Sequence, residues 1–98
     1  MESRTIYPFR KLLDALPQDI KNTAREVYKL WKQNPNHPSV KFEKKKSTKN
    51  YNVYSARIGE HYRALCYVEN NTAKWFWIGS HEQYNKIISK LRAVVKNN

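Results

Sequence analysis

The stretch from Tyr51 to Tyr84, YNVYSARIGEHYRALCYVENNTAKWFWIGSHEQY, constrains the fold most, because it reads as three consecutive strands delivered into a capped helix. The runs Val53 to Ile58 and Tyr62 to Glu69 flank Gly59, Glu60 and His61, a loop of hairpin length that starts with a glycine able to take a left-handed backbone angle. The simplest register pairs Ile58 with Tyr62 and Arg57 with Arg63. Side chains alternate faces along a strand, so Tyr54, Ala56, Ile58, Tyr62, Ala64, Cys66 and Val68 share one apolar face, and Arg57 and Arg63 share the other. Like charges directly opposite one another weaken a hairpin. Two guanidinium groups in that position are therefore the first sign of a site that takes an anion.

The chain of 98 residues is long enough for one hydrophobic core and is read as a single domain, 1–98. Nineteen Lys and Arg against eight Asp and Glu leave a formal charge of +11, which attracts polyanions or acidic protein surfaces. Aromatic residues at 13% argue against disorder. Cys66 is the only cysteine, which excludes an internal disulfide and a multi-cysteine metal site. No apolar run is long enough to cross a bilayer and no secretory leader is visible, so no membrane partner is expected and the cytoplasm is the default compartment.

Ahead of the central stretch, Thr5, Ile6 and Tyr7 suggest a short leading strand. Phe9, Leu12, Leu13 and Leu16 fall at helical spacing until Pro17, which suits the start of a second helix carrying Ile20, Ala24, Val27, Tyr28 and Trp31 on one face. Prolines 35 and 38 end that pair. Val40 and Phe42 then alternate with Lys41 and Glu43, as in a half-exposed strand, and Lys44 to Asn50 reads as a polar basic loop. After the hairpin, Lys74 to Ile78 is an aromatic strand whose alternation places Trp75 and Trp77 on one face and Phe76 and Ile78 on the other. Ser80 with Gln83 matches a capping box, and Tyr84, Ile87, Ile88, Leu91, Val94 and Val95 give the last helix its apolar stripe. The fold class is α+β, an α/β sandwich: two N-terminal helices on an antiparallel-rich sheet of about four strands, closed by a C-terminal helix.

Candidate chemistry gathers in two places. Lys41, Lys44, Lys45, Lys46 and Lys49 together with Arg57 and Arg63 supply cations for phosphate; the lysines equally suit a solvated edge strand that resists aggregation. His81 and Tyr84 stand three apart at the start of the last helix and so share a side of it, although Tyr84 also fits as the first core residue of the stripe. His37 and His61 have no neighbours at metal-ligand spacing, and no cofactor is expected. Glycine-rich phosphate loops and nucleophile elbows are absent.

Four segments resemble the RelE/ParE superfamily of bacterial toxin–antitoxin toxins: Leu16 to Ile20 (LPQDI), Asn34 to Phe42 (NPNHPSVKF), Tyr54 to Leu65 (YSARIGEHYRAL) and Trp75 to Tyr84 (WFWIGSHEQY). The resemblance runs from about Phe9 onward and is most specific in the last two. It implies a RelE-like fold and, for the RelE-like branch, a toxin that enters the ribosome and cuts mRNA without metal, the 2′-hydroxyl attacking the adjacent phosphate. By that resemblance Arg63 binds the phosphate, His81 transfers a proton, and Tyr84 orients or stacks on a nucleotide. Arg57 and the lysines from Lys41 to Lys49 hold RNA, with His81, Glu43 and Glu60 all open as general base. The implied partners are a cognate antitoxin, in a hetero-oligomeric complex, and the ribosome with its mRNA. Two alternatives stand beside it: a ParE-like inhibitor of DNA gyrase without nuclease activity, and a catalytically silent RNA- or antitoxin-binding protein.

Overall fold

The computed structural model describes residues 1–47 and 49–96, of which residues 92–96 are described as backbone only. The elements run β1 (Glu2–Thr5), α1 (Phe9–Asp14), α2 (Gln18–Gln33), β2 (Glu43–Ser47), β3 (Asn52–Ile58), β4 (Tyr62–Glu69), β5 (Thr72–Ser80) and α3 (His81–Lys96). The strands form one sheet in the order β1-β5-β4-β3-β2. All neighbours are antiparallel except β1, which lies parallel to β5. Helices α1 and α2 cover one face and α3 the other, which makes a sandwich of three layers.

The β3–β4 hairpin has the register its sequence predicts, Ile58 opposite Tyr62 and Arg57 opposite Arg63. Gly59 opens the turn at φ +67. The apolar face of this hairpin forms the floor of the larger core, where Ala56, Ile58, Ala64 and Cys66 are buried with Trp31, Val40, Ala73, Trp75 and Ile78. Leucines 12, 13 and 16 of the α1 segment and Ile20, Ala24 and Val27 of α2 close over it. Trp31 sits at its centre, edge-on to Trp75 at 5.3 Å and to Phe42 at 5.6 Å between ring centroids. Such geometry is worth about 0.5–1.5 kcal/mol per pair beyond the area buried.

In four places the structure departs from the sequence reading. The sheet has five strands rather than about four, because Glu2–Thr5 adds to the free edge of β5; the leading strand lies there and not at Thr5 to Tyr7. Val40 to Phe42 is not a strand. Lys41 takes a left-handed conformation at φ 47, which breaks the extended chain, while Val40 is wholly buried and Phe42 stacks on Tyr54 at 4.5 Å. The lysine run expected as a loop is instead strand β2 through Ser47: an edge strand needs only backbone pairing on one side and tolerates cations facing water. Finally, Trp75 and Trp77 do not share a face. The ladder pairs Cys66 with Trp75 but Leu65 with Trp77, leaving Phe76 as an extra residue in a bulge. A bulge reverses the alternation beyond it, so Trp75 and Ile78 face α1 and α2 while Phe76 and Trp77 pack toward α3.

Helix α3 starts at the capping box: the Gln83 N–H donates to Ser80 Oγ at 3.2 Å and the Ser80 N–H to Gln83 Oε1 at 3.3 Å. Tyr84 and Ile88 are buried against Val53 and Leu65, with Ile87 and Leu91 beside them. Val94 and Val95, predicted to continue the stripe, have side chains outside the described residues. No helix among the described residues is long and apolar enough to cross a membrane.

Candidate active site

The second face of the sheet carries both a small core and a cleft. Strand alternation dictates the division: Val53 and Leu65 lie beneath α3, while Ser55, Arg57 and Arg63 continue along the same face past the start of that helix. There the cleft, of about 230 Å³, is lined by Lys41, Glu43, Lys45, Ser55, Arg57, Arg63, His81 and Tyr84.

Each side chain reaches it for an identifiable reason. Arg57 and Arg63 are cross-strand neighbours next to the hairpin turn. Glu43 pairs with Ser55 across β2 and β3. The next step of that ladder slips, from Lys44 opposite Tyr54 to Lys46 opposite Val53, so Lys45 occupies an irregularity in the edge strand. Its ammonium lies 3.1 Å from Glu43 Oε2. Lys41 arrives from the left-handed bend before β2. His81 and Tyr84 occupy the first turn of α3 and stack, with centroids 5.9 Å apart and 29° between planes. The His81 N–H also donates to the His61 carbonyl at 2.8 Å, which ties the head of α3 to the hairpin turn.

Gly79 makes this junction possible. It lies opposite Arg63 in the sheet, and a Cβ there would fall 2.6 Å from the Trp77 ring and 2.8 Å from Gln83 Oε1. Only a residue without a side chain fits between the indole and the capping glutamine.

The arginines are held by backbone carbonyls of the turn and of Tyr62, the first residue of β4. Arg57 Nε donates to the Gly59 carbonyl at 3.2 Å. Arg63 Nη1 donates to the Tyr62 carbonyl at 2.7 Å, with the Gly59 and Glu60 carbonyls each at 3.4 Å. The Arg63 guanidinium is held below its ordinary pKa, first by burial and then by repulsion from Arg57, with Tyr84 and Glu43 opposing. Even so lowered, an arginine stays charged at neutral pH. The cleft is thus a concentration of fixed positive charge with one carboxylate, one imidazole and one phenol on its walls.

Among the residues singled out from sequence, Lys41, Lys45, Arg57, Arg63, His81 and Tyr84 come together here. Lys44, Lys46 and Lys49 do not line the cleft; Lys44 lies opposite Tyr54, on the α1–α2 side of the ladder. Of the three candidate bases, His81 and Glu43 line it, whereas Glu60 sits on the exposed turn 3.8 Å from His61. Sequence reasoning missed Ser55, which is only 4% exposed and is the one buried polar residue of the described core. Strand parity would have found it, since it stands two residues before Arg57. Among the described residues no group of three or more His, Cys, Asp or Glu gathers to hold a metal.

Residues 18–86 match the family model of the ParE-like toxin domain. The chain belongs to this family. Solved structures agree in fold. The chain is 20% identical to a chain of the archaeal RelE–RelB complex from Pyrococcus horikoshii OT3, with a TM-score of 0.66 over 81% of this chain and 92% of that one. A chain of the RelB–RelE antitoxin–toxin complex from Methanococcus jannaschii is 22% identical, with a TM-score of 0.60 over 85% of this chain and 95% of that one. No curated protein matches. This toxin therefore carries a RelE/ParE superfamily fold, and its cleft lies where hairpin, edge strand and final helix of that fold meet.

Proposed function

We propose that this toxin is a ribosome-dependent, metal-free mRNA endonuclease whose active site is the cleft between the β3–β4 hairpin and the head of α3. The observation that carries the reading is the convergence of Arg57, Arg63, His81, Tyr84 and Glu43 on one surface. A surface evolved only to block a protein partner needs no imidazole and carboxylate beside a paired guanidinium site. RNA cleavage by internal transfer uses groups of these kinds, for proton transfer and for stabilising charge on the phosphate. A base removes the proton of a 2′-hydroxyl, the 2′-oxygen bonds to the adjacent phosphorus, and the bond from phosphorus to the 5′-oxygen breaks as that oxygen takes a proton. The products are a 2′,3′-cyclic phosphate and a 5′-hydroxyl. Arg63 and Arg57 stabilise the charge that builds on the non-bridging oxygens. His81 and Glu43 are the two proton-transfer groups, and Tyr84, buried beside them, orients the imidazole through the ring that stacks on His81.

Lys41 and Lys45 at the cleft, with Lys44, Lys46 and Lys49 along the edge strand and the turn after it, attract the RNA backbone and the surrounding rRNA. The partner that silences the toxin is an antitoxin, as in the RelB–RelE assemblies of its structural relatives. A net charge of +11 favours an acidic one.

The test is cleavage by purified toxin of mRNA on programmed ribosomes and of naked RNA, comparing wild type with Arg63→Ala and His81→Ala. Cuts on ribosomes that disappear in both variants support the reading. Intact mRNA with folded wild type sinks it; the ParE-like family match then directs attention to gyrase supercoiling, which His81→Ala should leave inhibited.

A further inference from the structure

The two guanidinium groups of the cleft share an acceptor. Both reach the Gly59 carbonyl, Arg57 through Nε at 3.2 Å and Arg63 through Nη1 at 3.4 Å. Arg63 Nη1 also meets the Glu60 and Tyr62 carbonyls, at 3.4 and 2.7 Å. Like charges placed directly across a hairpin repel, and long arginine side chains ordinarily relieve this by swinging apart into water. Here the partial negative charges of the Gly59 and Glu60 carbonyls of the turn, and of the Tyr62 carbonyl at the start of β4, hold them together on one edge. An arginine has five N–H donors in a rigid fork, so engaging one nitrogen of each group leaves other donors of both for a second acceptor.

The geometry points to the turn as a device that presets the anion site: we infer that Gly59, through its left-handed backbone, aims both guanidinium groups at one phosphodiester group. Gly59 is in this sense a positioning residue; it touches neither substrate nor reacting atoms. The inference rests on the cleft being the RNA site proposed above and adds what sets its geometry. At φ +67 most L residues are strained, and any shift of φ or ψ at residue 59 swings its carbonyl. Crowding is not the constraint, because a Cβ at Gly59 meets only Thr23 Cγ2 at an ordinary 3.7 Å. A substitution there acts through the backbone, and so through the carbonyls that hold Arg57 and Arg63. The same turn supplies the His61 carbonyl to the His81 N–H at 2.8 Å, which carries any displacement to the head of α3. Holding the donors in place before binding spares the substrate the cost of ordering them.

The experiment measures binding of a short all-2′-deoxy oligonucleotide, which lacks the nucleophile and cannot be cut. Gly59→Ala and Gly59→Asn are compared with wild type, and Gly59→Ala is repeated in an Arg57→Gln/Arg63→Gln background, all at a temperature where circular dichroism shows every variant folded. Gly59→Ala is expected to weaken binding about tenfold, while Gly59→Asn, whose side chain tolerates the left-handed region, stays within about threefold of wild type. In the background lacking both arginines, Gly59→Ala is expected to have no further effect, because the cycle isolates coupling between turn and guanidinium groups. Three results overturn the inference: unchanged affinity in Gly59→Ala, a loss that persists undiminished without the arginines, or a wild type whose affinity does not depend on them. Cleavage on ribosomes is scored separately. Wild type that binds through this coupling yet cuts nothing removes the nuclease reading and keeps the turn; full cutting by Gly59→Ala does the reverse.

Discussion

The two faces of the sheet are built from the same strands and do opposite work. The face under α1 and α2 is closed: Trp31, Val40, Ala73 and Ile78 are at most 1% exposed, and no charged side chain is among its buried residues. The face under α3 is closed only where Leu65, Val53, Tyr84 and Ile88 pack, and then gives way to Arg57 and Arg63. Stability is concentrated on the first face. On the second, Arg57 and Arg63 sit directly across the hairpin from one another, an arrangement of like charges that opposes folding. The comparison teaches where a residue can be changed with which consequence.

The largest effect separates the faces by stability. Trp31→Ala should cost about 3–5 kcal/mol in denaturant unfolding, because it empties the centre of the aromatic cluster. Trp31→Phe should cost much less, since it also removes an indole N–H that is buried with no hydrogen-bond partner among the described residues. Equal losses from the two would show that the cavity is not what matters.

Next comes Arg63→Ala, the converse case. Cleavage on programmed ribosomes should fall about 10²–10³-fold, the usual consequence of losing a preorganised donor to transition-state charge. The unfolding midpoint should hardly move. A drop in midpoint comparable to that of Trp31→Ala would mean the arginine belongs to the core and would erase the contrast.

Ser80→Ala lies on the seam between core and cleft. Loss of the Oγ acceptor for the Gln83 N–H should destabilise by about 1 kcal/mol. It should also reduce cleavage, because His81 and Tyr84 occupy the turn that this cap starts. Unchanged activity with lowered stability would uncouple the two. Smaller again, Arg57→Gln should raise stability by roughly 0.2–1 kcal/mol through relief of cross-strand repulsion, while weakening RNA binding.

Burial pushes the Cys66 thiol from 9.0 up to about 12. An unfolded chain releases this proton above about pH 9 and the folded chain does not. The Cys66 contribution is therefore intact below pH 9 and is lost as pH rises toward 12. At neutral pH a thiol reagent should label Cys66 no faster than the protein unfolds, and rapid labelling of native protein would place a gap in the first face.

Much of the fold was legible in the sequence where one local rule acted alone. The hairpin register followed from turn length, the cap of α3 from Ser80 and Gln83, and the helices from apolar spacing. The errors arose where two rules competed. The aromatic run of β5 alternates perfectly on paper, but the bulge at Phe76 reverses Trp77 because Leu65 and Cys66 must keep their own pairing. The lysine run of β2 carries every mark of a loop, yet its backbone completes an edge that β3 offers. Within the site, Arg57 beside Arg63 and His81 beside Tyr84 were legible as separate pairs, whereas Ser55 was not singled out.

By itself, then, the sequence determined the helices, the β3–β4 hairpin with its apolar face and the juxtaposition of two arginines, because these depend on neighbours a few residues away or directly across a tight turn. Only the tertiary structure decided that the guanidinium pair, the first turn of α3 and Glu43 of the edge strand meet in one cleft. It also decided that Lys41 and Lys45 reach that cleft while Lys44 and Lys46 do not. Those placements depend on a left-handed bend at Lys41, a ladder slip beside Lys45 and a glycine at 79 narrow enough to let Trp77 and Gln83 close together. Each is set by how backbone pairing and side-chain packing fit together in three dimensions rather than by any local pattern of residues.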